Sequence, residues 1–186
     1  MTNILERLEI LKDKIMSDKF VEGFGLGNEL SYYIFDYDPK DELLVRKVVK
    51  YIVKEANSHS KKVIEVDLFK IFIEILKEED IFDAVLEMEK KECKEALLNA
   101  ITTYINPRRF AQKIVSYSTN YDIIFLTGIG KIYPFMRAHN VLNSLQEFLN
   151  KKPVVLFYPG KYKDQSLVLF NKFKDDNYYR AFPAVY

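Results

Sequence analysis

Hydrophobic residues along this chain follow two spacings, which predict strands and helices in alternation. Short runs rich in β-branched and aromatic residues, typical of buried strands, occur at residues 32–36, 63–67, 121–126 and 153–158, with an edge-like strand at 178–182. A further run at 167–170 fits a strand or a helix equally well. The run at 121–126 is almost continuously apolar, as in parallel strands that are buried on both faces.

Helical spacing fills the segments between these runs. Apolar side chains recur every three or four residues near 4–15, 45–53, 68–77, 81–104 and 110–115. Asp38 and Pro39 give the second helix an N-cap and a first-turn proline, and Asn106 caps the last one. The helices over about 68–118 exceed what one crossover requires, so we interpret them as a helical insert. The pattern predicts a single α/β domain over residues 1–186, with a mostly parallel Rossmann-like or P-loop-like sheet of about five strands flanked by helices.

A glycine turn follows the strand at 121–126 and leads into a helix. Residues 127–130 are Thr-Gly-Ile-Gly, and the helical pattern starts near Lys131 with Pro134 in its first turn. Open α/β sheets hold their ligands at the carboxyl edge of the parallel strands. We therefore expect polar and glycine residues at the strand ends to share one edge, namely Asp36, Asp67, Thr127, Gly128, Gly130, Tyr158 and Gly160.

Two glycine-rich segments raise the question of phosphate binding. Gly128, Gly130 and Lys131 would present backbone N–H groups and a positive charge at a helix N-terminus, which suits an anion. The segment lacks the GK[ST] ending of a P-loop, however, and the segment GFGLGNE at 23–29 follows a helix and precedes a strand, the reverse of P-loop order. Anion or nucleotide binding at the Gly128 turn is a hypothesis. The alternative is a turn that binds nothing.

Metal and catalytic chemistry have little support in the sequence. Asp36 and Asp67 together could bind Mg²⁺, but we favour an N-cap for Asp67, which directly precedes a helix. Cys93 is the only cysteine, and neither His59 nor His139 has a partner at metal-ligand spacing. A G-x-S-x-G nucleophile elbow is absent from the sequence. We assign no catalytic residue, no metal and no cofactor.

Polar residues accompany the apolar stripe of the helix that follows the glycine turn. We expect Arg137, His139 and Asn140 to hydrogen-bond to the edge loops and fix their shape. These three residues complete our set of ligand-binding candidates, with Asp36, Thr127, Gly128, Gly130 and Lys131.

A cluster near the C-terminus combines charge with aromatic residues. Tyr178, Tyr179 and Arg180 are of the types enriched in the hot spots of protein interfaces, and we expect their side chains to be exposed. Base stacking is a rival use. The flanking Asp175 and Asp176 disfavour nearby phosphates, so we predict a protein interface here.

Composition adds few constraints. The 186 residues are 48% hydrophobic and 30% charged, with a net charge of +1, which argues against strong non-specific attraction to nucleic acid. Residues 61–100 carry 7 Lys against 11 acidic residues, whereas residues 151–186 carry 7 basic residues against 3 Asp. This uneven distribution of charge fits binding to two different partners, or helix faces that are exposed to solvent. Because an amphipathic helix pattern begins near Ile4 and apolar runs stay below about 20 residues, we expect a cytoplasmic protein without a membrane contact.

In combination, the motifs resemble the BrxB family of the BREX bacteriophage-exclusion system. The matching segments are GLGNE at 25–29, YIFDYDP at 33–39, DLF at 67–69, LTGIGKIYPFMRAHNVLN at 126–143, LFYPG at 156–160 and KDDNYYRAF at 174–182. The resemblance implies a role in phage defence. BREX systems methylate host DNA at a short motif and block replication of unmodified phage DNA, and they contain a methyltransferase, a phosphatase-like PglZ protein and a large AAA-type ATPase, BrxC.

Two functional hypotheses follow. The resemblance implies a non-catalytic assembly subunit that bridges the PglZ-type and BrxC-type components, with the methyltransferase as a further candidate partner. It provides no catalytic residues, and direct contact with nucleic acid stays open. The alternative is a nucleotide- or anion-binding protein or enzyme that uses the crevice at the Gly128 turn. Convergence of Asp36, Lys131 and Arg137 on one deep pocket would favour the alternative.

Overall fold

Helices and strands alternate in the computed structural model, which describes residues 3–21, 31–149, 152–175, 179 and 181–186. The helices are α1 Ile4–Met16, α2 Asp18–Val21, α3 Glu42–Ser58, α4 Leu68–Glu78, α5 Phe82–Lys91, α6 Lys94–Thr102, α7 Pro107–Ser118, α8 Ile129–Ile132 and α9 Ala138–Gln146. The strands are β1 Tyr32–Tyr37, β2 Val63–Asp67, β3 Ile123–Thr127, β4 Val154–Lys163, β5 Ser166–Leu169, β6 Phe173–Lys174 and β7 Phe182–Pro183. The glycine segment at 23–29 lies outside the described residues.

The sheet is mostly parallel. Its strands lie in the order β2-β3-β4-β1-β7, with every neighbouring pair parallel, and β5 and β6 extend antiparallel from the end of β4. The predicted α/β class and mostly parallel sheet are therefore confirmed. The described part of the chain has seven strands where about five were predicted, because the ambiguous run at 167–170 forms β5 and the two-residue β6 was not predicted. The edge-like strand predicted at 178–182 corresponds to β7, which begins only at Phe182 and also spans two residues. Elements that short leave no hydrophobic period in a sequence.

Alternating side chains of the central strands supply two hydrophobic cores, one on each face of the sheet. Ile123 and Phe125 of β3 pack with α1 and α3, whereas Ile124 and Leu126 pack with α4, α7, α8 and α9. All five residues of β3 are buried. The two-faced burial predicted for this strand is confirmed, and it follows from the period of two along a strand.

The helix predicted to start near Lys131 is interrupted, which corrects the sequence interpretation. A single turn, α8, ends at Ile132, and α9 begins only at Ala138. Pro134 follows a cis peptide bond rather than lying in a helical first turn. The cause is steric, because the residue before a proline is driven out of the helical region, and Tyr133 has φ −70° and ψ 136°.

Residues Pro159 and Gly160 continue β4, although the sequence pattern predicted that this strand ends at residue 158. β4 pairs in parallel with β1 as far as Pro159 and pairs in antiparallel fashion with β5 from Gly160 onward. A Cβ atom at position 160 would lie 2.1 Å from the carbonyl oxygen of Val168. Position 160 therefore requires glycine, because the backbone of β5 approaches it too closely for a side chain.

Four helices, α4 to α7, occupy the chain between β2 and β3. The single helical stretch predicted over 81–104 is divided into α5 and α6 by an extended residue at Glu92. α5 has no buried residue, whereas α4 buries five of its eleven. Among the described residues, none of the helices combines the length and apolar character that crossing a membrane requires.

Candidate functional site

The ends of the parallel strands form the predicted edge, but they do not bring all its carboxylates together. Asp67 is the register neighbour of Thr127, and Asp36 is the register neighbour of Tyr158. Strands β1 and β2 are separated by β3 and β4, so three spacings of about 4.8 Å place the Asp36 and Asp67 backbones about 14 Å apart. The hypothesis of a Mg²⁺ ion shared by these two carboxylates is wrong. Among the described residues, no group of three or more His, Cys, Asp or Glu side chains is placed to hold a metal.

Asp36 accepts hydrogen bonds from two other parts of the protein. The guanidinium of Arg7 donates from Nη2 to Asp36 Oδ1 at 2.8 Å and from Nη1 to the Asp36 carbonyl at 2.7 Å. The backbone N–H of Tyr162 donates to the other carboxylate oxygen at 3.0 Å. Asp36 therefore ties α1 to the end of β4, and its hydrogen-bonding capacity is largely used in doing so.

The Gly128 turn packs closely against a carboxylate of the protein. Gly128 has φ +82°, and a Cβ atom there would lie 2.3 Å from Asp67 Oδ1. The ammonium group of Lys131 donates to the other oxygen of Asp67, and the Phe69 N–H donates to Oδ1 at 2.9 Å. The predicted N-cap role of Asp67 is confirmed. The negative charge of Asp67 therefore lies beside Gly128 and Lys131, where we considered the binding of an external anion.

A crevice of about 270 Å³ lies between α3 and the carboxyl ends of β2 and β3. We call it the α3 crevice. It continues into a smaller space of about 160 Å³ lined by Gly130 and Phe170. The connections that follow β2 and β3 both pack on the face of the sheet opposite α3, so the crevice opens between α3 and these two strand ends.

Charges in the α3 crevice are mostly paired. Glu42 accepts hydrogen bonds from the Tyr37 hydroxyl at 2.5 Å and from Arg46 Nη2 at 2.6 Å. Burial, followed by the hydrogen bond to Glu42, raises the pKa of Tyr37 and keeps it a donor. The Thr127 hydroxyl donates to Glu65 Oε1 at 3.0 Å.

Gly130 has a packing role in this arrangement. A Cβ atom there would lie 2.7 Å from Cζ of Phe170, so the glycine makes room for that ring. Phe170 itself has φ +53°, which is unusual for a bulky residue. The aromatic ring covers the turn that was a candidate for backbone contact with a ligand.

Arg137 lines a separate crevice of about 290 Å³, between α8, the start of α9 and the β5–β6 hairpin. We call this the α9 crevice. It shares no lining residue with the α3 crevice in the described parts of the chain. Asp36, Lys131 and Arg137 therefore do not converge on one pocket.

A buried polar cluster supports the α9 crevice. Asp175 Oδ2 interacts with His139 Nδ1 at 2.9 Å and accepts a hydrogen bond from the Tyr179 hydroxyl at 2.5 Å. The expected bonding of His139 to a neighbouring loop is thus observed. Asn140 is half-buried in the first turn of α9, where its N–H donates to the Arg137 carbonyl at 3.2 Å.

Tyr179 corrects the prediction of an exposed aromatic cluster. Only 3% of the residue is exposed, because its ring packs in the core and its hydroxyl is used by Asp175. Tyr178 and Arg180, the other interface candidates, lie outside the described residues.

Several residues of the two crevices were missed by sequence reasoning. Glu42 and Arg46 have the i, i+4 spacing of a helical ion pair, which could have identified them. Tyr133, Lys172 and Phe173 come together only because the hairpin folds back onto α8, and local sequence gives no sign of that contact.

Comparison with known proteins decides the family. The model of the family described as BREX protein BrxB matches residues 64–184. The chain belongs to the BrxB family. A BREX protein BrxB from Bacillus cereus (strain H3081.97) is 41% identical and covers 100% of this chain and 99% of the relative. A second, from Escherichia coli O9:H4 (strain HS), is 32% identical over 96% of this chain and 90% of the relative.

BrxB membership makes the chain a component of a BREX system and associates it with defence against bacteriophage. The resemblance noted from its motifs is therefore confirmed. No solved structure matches the fold. The names of the relatives identify the BREX system and state no activity for the BrxB protein itself.

Proposed function

We propose that this chain is a non-catalytic assembly subunit that bridges the PglZ-type and BrxC-type ATPase components of a BREX phage-defence complex. The observation that carries the proposal is the Asp67 carboxylate packed against the Gly128 turn. This carboxylate is paired with Lys131 and hydrogen-bonded to the N-terminus of α4, so the charges beside the turn serve the stability of the edge.

The remaining charges at the edge support the same interpretation. Asp36 is paired with Arg7, and Arg46 is paired with Glu42. Perturbed and unpaired titratable groups are the physical signature of catalytic sites, because catalysis needs a group available to exchange a proton or bind charge. Here each of these charges is matched by an internal partner.

A bridging subunit needs two separate contact surfaces, and exposed apolar residues lie in both helical layers. On α3, Leu43 and Tyr51 are 77% and 56% exposed. In the opposite layer, Leu86 on α5 and Tyr104 after α6 are also exposed. Large apolar side chains left in solvent on both faces fit an assembly that covers them.

Purification of the tagged chain from cells that produce the complete BREX set tests the proposal. Each surface receives two aspartates, Leu43→Asp with Tyr51→Asp on one face and Leu86→Asp with Tyr104→Asp on the other. We expect each pair to release one partner and retain the other. Charge-matched controls at exposed lysines, Lys47→Asp and Lys94→Asp, should retain both.

Two outcomes contradict the bridge. One is the lack of any stable complex when all components are produced together. The other is the loss of both partners from either variant pair, which indicates a single contact surface. Circular dichroism of each variant confirms that the chain is folded before its partners are compared.

The alternative function is nucleotide or anion binding in the α3 crevice. It is favoured by the position of the crevice at the carboxyl ends of β2 and β3, and by Lys50 and Lys70, which have no carboxylate partner among the described residues. Titration of nucleotide into the parent and into Lys131→Gln tests it. Absent binding, or binding that the substitution leaves unchanged, removes this candidate.

A further inference from the structure

The α9 crevice gathers positive charge. Arg137 at the start of α9 approaches it from one side, and Lys172 and Lys174 of the β5–β6 hairpin line the other. Within residues 3–21, 31–149, 152–175, 179 and 181–186, none of these three side chains has a carboxylate partner. Asp175 is the one acid in the lining, and His139 and Tyr179 already engage its carboxylate. The crevice therefore attracts anions.

A hydroxyl without a protein partner among the described residues opens onto the same crevice. Tyr158 is only 3% exposed and contributes to the lining, yet its hydroxyl has no hydrogen-bond partner in the described parts of the chain. The ring is packed in the core while the hydroxyl faces the crevice, so the hydroxyl is available to hydrogen-bond a bound molecule. Burial, followed by the charge of Asp175, raises the pKa of Tyr158. The hydroxyl therefore stays protonated and able to donate.

Aromatic and aliphatic side chains complete the walls. The rings of Tyr133 and Phe173 lie 5.0 Å apart at 33°, and Phe173 is about half exposed. Ile129, Met136 and Leu169 add apolar surface. A flat ring that stacks against Phe173 would cover this surface while a charged group reached the cations.

We propose that the α9 crevice binds a phosphate monoester carried on a flat ring, of mononucleotide size. Arg137, Lys172 and Lys174 would bind the phosphate, and the Tyr158 hydroxyl would donate a hydrogen bond to it. The exposed face of Phe173 would stack on the ring. The volume of about 290 Å³ is near the lower limit of small-molecule sites, which restricts the ligand to one nucleotide.

Isothermal titration of the full chain with AMP tests the site, with ribose 5-phosphate, adenosine and inorganic phosphate as partial ligands. We expect AMP to bind more tightly than any of the three, because only AMP offers both phosphate and ring. Arg137→Gln and Lys172→Gln should each weaken AMP binding by about tenfold, the usual effect of losing a hydrogen bond to a charged group. Phe173→Ala should weaken AMP and leave ribose 5-phosphate unchanged.

Tyr158→Phe is the most specific variant, because it removes one oxygen that makes no hydrogen bond within the described structure. We expect about tenfold weaker AMP binding with an unchanged melting temperature. Lys50→Gln and Lys70→Gln are the matched controls, since they remove the same charge from the α3 crevice, and they should bind AMP as the parent does.

Three results would overturn the proposal. The first is no detectable AMP binding at about 1 mM, the weakest affinity such a site would be expected to have. The second is equal affinity in the parent, Arg137→Gln and Tyr158→Phe. The third is loss of binding in Lys50→Gln or Lys70→Gln alone, which assigns the nucleotide to the α3 crevice instead.

Discussion

The guanidinium of Arg7 donates hydrogen bonds to both the carboxylate and the backbone carbonyl of Asp36, and these bonds connect α1 to the end of β1. The two side chains are about one quarter exposed, so solvent screens the pair only in part. The same guanidinium lies 4.9 Å from the centre of the Phe35 ring. This one side chain joins a helix, a strand and an aromatic residue of the core.

Replacing Asp36 should destabilise the protein measurably. We expect Asp36→Asn to lower the free energy of unfolding by about 1–2 kcal/mol, because charge-assisted hydrogen bonds to Arg7 are lost. Urea unfolding measures the difference. The control is Lys90→Gln, which breaks an exposed pair with Glu87 and should change stability by less than about 0.5 kcal/mol. Equal effects of the two substitutions would contradict the importance of the Arg7 contact.

Gly128→Ala should be costly for two separable reasons. The left-handed backbone at φ +82° opposes any side chain by about 1–2 kcal/mol, and the new Cβ would collide with Asp67. We expect a total loss of about 2–4 kcal/mol, of the size seen for strained or overpacked positions. In an Asp67→Ala background the collision disappears, so the same substitution should cost less. Additive effects in this double-mutant cycle would show that Asp67 does not fill the turn.

High pH should destabilise the fold through its buried tyrosines. Burial raises the pKa of Tyr158 in the folded state above its value in the unfolded chain, so its contribution is complete below about pH 10 and is lost as pH rises further. Because its hydroxyl has no partner in the described structure, Tyr158→Phe should match the parent near neutral pH and decline less steeply above about pH 10. Urea unfolding across this range measures both slopes. Parallel curves would contradict the expectation.

The α5–α6 region should open more readily than the helices around it. α5 buries none of its residues, whereas α7 buries four, including Phe110 and Ile114. Local opening is easier where few apolar contacts must break. Hydrogen exchange should therefore be faster in α5 than in α7. Protection of α5 should increase when a partner covers Leu86, and equal protection of the free helices would contradict this reasoning.

The central sheet was predictable because its signals are local. Alternating apolar residues predict the two buried faces of β3. Asp38 and Pro39 predict the short 3₁₀ turn that leads into α3, and Asp67 predicts the start of α4. The break before α9 was not predictable from spacing alone. Ile129, Ile132 and Met136 are all buried at helical intervals, so the apolar period continues across a segment that is not helical.

The sites were harder to predict because their contacts are distant in sequence. Strand ends identified Asp36 and Asp67, but their partners Arg7 and Lys131 lie 29 and 64 residues away. Ion pairs between such distant residues depend on the order of the strands in the sheet, which the hydrophobic pattern does not predict. The strand ends therefore share one edge of the sheet, as expected. The side chains of Asp36, Lys131 and Arg137 do not meet in one pocket there.

β4 changes from parallel to antiparallel pairing within one continuous strand. Its first half lies between β3 and β1, and its second half begins the hairpin that carries Lys172 and Phe173. Tyr158 lies just before the change of partner. A molecule that binds the hairpin therefore contacts a direct extension of the central strand, because the same strand pairs with β1 and β3 in one half and with β5 in the other.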